Sequence, residues 1–156
     1  MSNGFPKPED VLPHRPPFLF VDAITALVPG QSATGTWHLK GDEWFFPGHF
    51  PGRPTLPGVL MCEAIAQMGA IAVLAREDFA GRLPLFGGLD GARFRRQVVP
   101  GDVLRLEVEL TRMSARAGCR AQAIQPHYVR VPRHLPAAAA LPLVLDGGGD
   151  VGGAPV

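Results

Sequence analysis

Two residues within the stretch 44–76, WFFPGHFPGRPTLPGVLMCEAIAQMGAIAVLAR, have the chemistry of a proton-transfer site: His49 and Glu63. An imidazole titrates near neutrality, so His49 can take or give a proton at physiological pH. It sits in PGHFPG, where prolines and glycines hold an irregular backbone. A loop histidine on its own is more often structural or solvated than catalytic, and it is Glu63 that gives it a context. From Val59 to Ala75 the only polar side chains are Glu63 and Gln67. An unpaired carboxylate in such surroundings costs on the order of several kcal/mol, so it needs a partner or a task. Burial also favours the protonated form of a carboxyl, which is the form a general acid requires. Gln67 lies one helical turn after Glu63 on the same face, placed to orient the carboxyl or merely to satisfy it.

The elements that must position these groups can be read from the surrounding residues. Pro54 and Pro57 cannot lie inside a helix but suit its entrance, so a helix is expected from Pro57 or Gly58 to about Arg76. A helix apolar on every face is expected to be buried on all sides. Its first turn carries unpaired N–H groups and the positive end of the dipole, so Gly58 and Val59 can receive a developing oxyanion. Every helix has such an end; the nearby histidine is what gives this one interest.

Earlier in the chain, residues 1–8 are expected to be a flexible lead-in, and Pro13, Pro16 and Pro17 to keep the next segment extended or turned. Residues 18–28 and 31–40 read as two strands joined by Pro29-Gly30 into a hairpin. Residues 84–99 are expected to be a strand bulged at its glycines. After the Pro100-Gly101-Asp102 turn comes the cleanest alternation in the chain. Leu104, Leu106, Val108 and Leu110 fall on one face, and Arg105, Glu107 and Glu109 on the other. Residues 118–125 read as a further strand, but Pro126, Pro132, Pro136 and Pro142 punctuate the chain beyond it, and proline is poorly tolerated in central strands. One buried helix among antiparallel strands, with no repeated strand-helix-strand unit, predicts an α+β fold in a single domain over 1–146. Within it 126–146 is atypical, and the glycine-rich tail 147–156 is expected to be disordered.

At 156 residues the chain is long enough for one well-formed core. A formal net charge of +1 rules out whole-molecule attraction to nucleic acid and leaves any electrostatic partner to a local patch. The densest basic group is Arg93, Arg95 and Arg96. Cys62 and Cys119 lie far apart without metal-ligand spacing and read as structural thiols in a reducing compartment. The N-terminal residues lack a signal pattern and the longest apolar stretch is broken by Glu63 and Gln67, so a cytoplasmic, non-membrane protein is expected.

Three segments resemble a known family: LPHRPPFLFVD (12–22), FFPGHFPGRPTLPGVLMCEAIAQ (45–67) and FRRQVVPGDVLRLEVEL (94–110) are similar to the FabZ-type 3-hydroxyacyl-acyl-carrier-protein dehydratases of fatty-acid synthesis. The resemblance covers most of residues 12–118. It implies a hotdog fold, a long central helix wrapped by a curved antiparallel sheet, assembled as homodimers and often as trimers of dimers. It further implies that His49 and Glu63 are the catalytic pair, contributed by opposite subunits, that Gly58 supplies an oxyanion N–H, and that Gln67 is the family's helix glutamine. In the implied reaction His49 removes the α-proton of a 3-hydroxyacyl thioester, Gly58 steadies the enolate-like oxygen, and Glu63 protonates the departing hydroxyl. No metal or bound cofactor is implied, because the phosphopantetheine arm belongs to the acyl carrier protein. The apolar helix and Phe50 are expected to line an acyl tunnel, with core packing the plainer role for any one phenylalanine. Arg93, Arg95 and Arg96 would meet the acidic carrier protein, unless they are simply a solvated face.

Competing expectations lie close by. A sister dehydratase-isomerase carries aspartate at the acidic helix position, so Glu63 favours the non-isomerising branch. Hotdog thioesterases hydrolyse the thioester instead, and an acyl-binding homologue without activity would result if the C-terminal sheet were defective. The proline-rich stretch after Gly118 is where the sequence departs most from the family's pattern.

Overall fold

The computed structural model describes residues 4–94, 96–114, 118–123, 127–128 and 139–145. A single helical turn, α1 (Pro8–Val11), opens on proline with Glu9 and Asp10 in its first turn, both favourable at a helix N-terminus. Next in the chain is the hairpin, β1 (Ala23–Val28) and β2 (Ser32–His38). Gly30 sits at φ 74° and Gln31 N–H donates to the Val28 carbonyl at 2.9 Å, the geometry that a Pro-Gly pair supplies at the centre of a type II turn. The first strand is shorter than expected. Residues 18–22 stay outside the sheet because Gln67 takes up the Phe18 carbonyl and the Phe20 N–H, the groups a strand neighbour would otherwise use.

The central helix α2 spans Gly58–Leu74 with Pro57 at its N-cap, as expected to within two residues at its end. The remaining strands are β3 (Pro84–Phe86), β4 (Val103–Ser114), β5 (Gly118–Ala123), β6 (His127–Tyr128) and β7 (Ala139–Leu145). They join the hairpin in one antiparallel sheet of order β1-β2-β4-β5-β7-β3, with β6 continuing along β4 beyond β5. Register places Trp37 opposite Leu104, Gly35 opposite Leu106 and Ala33 opposite Val108. All six are buried. They form the face that receives α2, while Arg105 and Glu107 pair on the other face of β4. Gly35 has a specific reason to lack a side chain: a Cβ there would run into Met68 Cε and the Ala23 carbonyl. A long apolar helix packed on an antiparallel sheet is the hotdog arrangement, in the α+β class.

Three further expectations are corrected by the structure. The helix is buried throughout from Ala64 to Leu74, but its first turns are open within the chain, with Val59 72% exposed and Met61, Cys62 and Glu63 half-buried. Of the strand expected over 84–99 only β3 forms. The described residues from 91 to 99 contain no strand, because this segment is tied to the helix entrance through Leu56 N–H on the Val98 carbonyl at 2.8 Å and to the next turn through Val99 N–H on Asp102 Oδ2. Finally, Pro142 lies inside β7, between β5 and β3. It pairs with Arg120 of β5, while the β3 pairing begins only at Leu143. Pro126, Pro132, Pro136 and the tail 147–156 lie outside the described residues. Among the described residues no helix is long and apolar enough to cross a membrane.

Candidate active site

The loop that carries His49 is built by its own prolines and glycines. Phe50 and Arg53 exchange backbone hydrogen bonds of 3.1 and 2.9 Å around Pro51-Gly52, and Gly52 takes φ 70°, a value that favours glycine. This reversal returns Thr55 to His49, where Thr55 N–H donates to the His49 carbonyl at 2.8 Å. The His49 ring closes the same loop, with Nδ1 2.7 Å from the Thr55 carbonyl oxygen. A carbonyl only accepts, so Nδ1 carries the hydrogen and the neutral ring presents a lone pair on Nε2. His49 is therefore held with one ring nitrogen free. The Phe50 ring stacks on it at 4.0 Å between centroids and is half exposed. Thr55 is in turn braced by Gln97, whose Nε2 donates to Thr55 Oγ1 at 3.2 Å.

Glu63 is held by side chains. Gln67, only 1% exposed, donates from Nε2 to Glu63 Oε1 at 3.0 Å. The same amide donates to the Phe18 carbonyl at 3.1 Å, and its Oε1 accepts from Phe20 N–H at 2.8 Å. Gln67 thus bonds the Glu63 carboxyl, as expected, and also anchors a second segment, which was not expected. That segment begins with His14, whose Nε2 stands 3.6 Å from Glu63 Oε1. Burial holds the His14 imidazole below its ordinary pKa, with the Glu63 carboxylate pulling the other way. Cys62, beside Glu63 in sequence, is a free thiol whose pKa is pushed up by burial.

Between these two groups lies the first turn of α2. Gly58 is half-buried, and the ring of Phe94 lies against it so closely that a Cβ would meet Phe94 Cε2 at 2.8 Å. Val59, Phe50 and Phe94 are all more than half exposed, so the junction of loop and helix presents an apolar surface within the single chain. Arg93 and Arg96 are exposed on the segment around Phe94, and Arg95 lies outside the described residues. Among the described residues no hydrogen bond or ion pair joins His49 to Glu63. No cluster of metal-binding side chains occurs among the described residues.

Sequence reasoning missed His14, Thr55 and the position of Phe94. His14 carried a usable signal, since it is a titratable residue set between Pro13 and Arg15-Pro16, much as His49 is set among prolines and glycines. Thr55 acts through its backbone carbonyl, for which no side-chain signal exists.

A fixed imidazole in the loop before an apolar helix, and an oriented carboxyl on that helix, define an acid–base enzyme of the hotdog class. The chain belongs to the FabA-like family, whose domain profile matches residues 12–125. Among curated proteins it is 56% identical over 110 residues to the 3-hydroxyacyl-[acyl-carrier-protein] dehydratase FabZ of Moorella thermoacetica, covering 70% of this chain and 77% of that one. It is 49% identical over 118 residues to the FabZ dehydratase of Clostridium novyi, covering 76% and 83%. Its fold matches the dehydratase heterocomplex ApeI:P from Xenorhabdus doucetiae with a TM-score of 0.76 over 92% of this chain and 93% of that one, at 14% identity.

Proposed function

We propose that the chain is a 3-hydroxyacyl-acyl-carrier-protein dehydratase of fatty-acid synthesis, working as a dimer in which His49 of one subunit faces Glu63 of the other. The observation that carries the assignment of roles is the bond from His49 Nδ1 to the Thr55 carbonyl. It commits one nitrogen to the protein and leaves Nε2 as a base for the α-proton. Proton removal puts negative charge on the thioester oxygen, which the N–H of Gly58 at the start of α2 is placed to stabilise, with Val59 beside it in the first turn. Glu63, oriented by Gln67, gives its proton to the departing hydroxyl. Water leaves, and a trans-2-enoyl thioester remains. The thioester acidifies the α-carbon and the carrier protein brings the phosphopantetheine arm, so the reaction calls on no cofactor or metal of the enzyme's own.

The separate anchoring of the two groups, His49 on Thr55 and Glu63 on Gln67, supports a site shared between subunits. So does the open apolar junction of Val59, Phe50 and Phe94, since patches of this kind are buried when subunits associate. In this assembly Phe50 and the open face of α2 line the acyl channel. Arg93, Arg95 and Arg96 receive the acidic carrier protein, and the enzyme works in the cytoplasm alongside it. Incubation with a chain-length series of 3-hydroxyacyl-carrier-protein thioesters, with analysis of the products, tests the reading. An enoyl thioester is expected; free acid would make the protein a thioesterase, and unchanged substrate an acyl-binding protein.

A further inference from the structure

We propose that His14 is a positioning residue for Glu63, giving a second neutral N–H to the oxygen already held by Gln67 and so leaving the other carboxyl oxygen to the substrate hydroxyl. The proposal rests on the reading of Glu63 as the general acid. The two donors converge on one atom: Gln67 Nε2 is 3.0 Å, and His14 Nε2 3.6 Å, from Glu63 Oε1. The longer distance lies just beyond hydrogen-bond range, as is common for catalytic contacts before substrate draws a site together. Arg15 fixes the backbone that carries His14, donating from Nη1 to the carbonyls of Leu12 at 2.8 Å and His14 at 2.7 Å.

The protonation state is set by the other ring nitrogen. His14 Nδ1 is buried with no hydrogen-bond partner. An imidazolium would bury an N–H there with nothing to accept it. The neutral tautomer with hydrogen on Nε2 leaves only a lone pair unmet, and it directs its one N–H toward Glu63. Burial, which disfavours the charged ring, acts in the same direction. Neutrality matters for the chemistry, because a cation beside Glu63 would hold the carboxyl ionised and deprive it of the proton it must deliver. A protonated carboxyl has one carbonyl oxygen with two lone pairs. His14 and Gln67 match them, which puts the acidic proton on Oε2. As that proton leaves, both bonds strengthen with the growing charge on the carboxylate, so the pair stabilises the transition state more than the ground state.

Three variants test this with 3-hydroxyacyl-carrier-protein substrate, reading kcat and KM separately. The amide of His14→Gln reaches the place of Nε2 as a neutral donor and is expected to keep kcat within roughly threefold. His14→Phe keeps the ring without the donor, and His14→Asn keeps an amide too short to reach. Both are expected to lose on the order of 10- to 100-fold in kcat at unchanged KM. Equal kcat in the Gln and Asn variants, or an effect on KM alone, overturns the proposal, and this contrast decides the matter even if the Phe variant does not fold. Glu63→Gln measured alongside separates the two readings. If it turns over normally, Glu63 is not the acid; if it is inactive while all His14 variants match wild type, only the role of His14 is lost.

Discussion

The two halves of the site are held in place by different kinds of partner. His49 is fixed by backbone: its ring and carbonyl both bond Thr55 main-chain atoms, across a turn shaped by Pro51 and Gly52. Glu63 is fixed by side chains, chiefly Gln67, which also ties down Phe18 and Phe20. A base held by carbonyl geometry tolerates changes in neighbouring side chains, provided that the turn survives. A carboxyl held by the Gln67 amide depends on the identity of that side chain. The loop half should therefore respond to changes of backbone conformation and the helix half to changes of polarity.

The largest effect is expected from removing either group outright. His49→Ala and Glu63→Gln should each lower kcat by about 10²- to 10⁴-fold, the range typical of lost acid–base groups, while the chain stays folded. If the halves come from different subunits, mixing the two inactive variants with subunit exchange rebuilds one intact site per mixed dimer. Roughly a quarter of wild-type activity should return in an equimolar mixture. Proven exchange without recovery would place both groups in one subunit and remove the comparison between halves altogether.

A smaller effect sharpens the contrast. Gln67→Leu leaves the Phe20 N–H buried without a partner and frees Glu63, and should cost about 2–3 kcal/mol of stability together with most of the activity. Thr55→Ala keeps the carbonyl that holds His49 and should cost only about 1 kcal/mol, with kcat within a few-fold of wild type. Chemical denaturation and steady-state kinetics on both variants check this; similar losses of kcat in the two would erase the distinction between backbone and side-chain support.

The smallest effect is one of pH on stability. In the folded chain burial lowers the pKa of His14 below its ordinary 6.5, although Glu63 opposes the shift. The unfolded chain then binds more protons just below that value, so the contribution of the neutral ring is full above about pH 6.5 and is lost as pH falls through the folded-state value. Between about pH 7.5 and 5 the Tm of wild type should drop further than that of His14→Gln, which has no group to titrate at this position. Parallel curves would show that His14 titrates alike in both states.

Much of this architecture is legible from residue types. The α2 boundaries are marked by Pro57 and the apolar run, and the alternation of Leu104, Leu106 and Val108 marks the face of β4 that meets the helix. Glu63 stands out because it interrupts that run, and His49 because prolines and glycines surround it. Other features are hidden from the sequence for identifiable reasons. The strand expected over 18–28 fails in its first half because a glutamine 47 residues further on occupies the Phe20 N–H. Pro142 lies in a strand through its register with Arg120 of β5, a pairing between segments that local sequence does not record. His14 reads locally as part of a proline-bent segment, since nothing near it in sequence brings it to Glu63.

What the sequence alone determined, then, is the helix, the faces of its sheet and which two side chains stand out as candidates for acid and base, because these depend on periodicity and on residue chemistry within a few positions. Only the tertiary structure decided that His49 presents Nε2, that Gln67 and His14 converge on one oxygen of Glu63, and that the first turns of an all-apolar helix stay open within the chain. These depend on atoms far apart in sequence meeting within a few ångströms, and hydrophobic patterning records that a side chain will be buried without recording what will bury it.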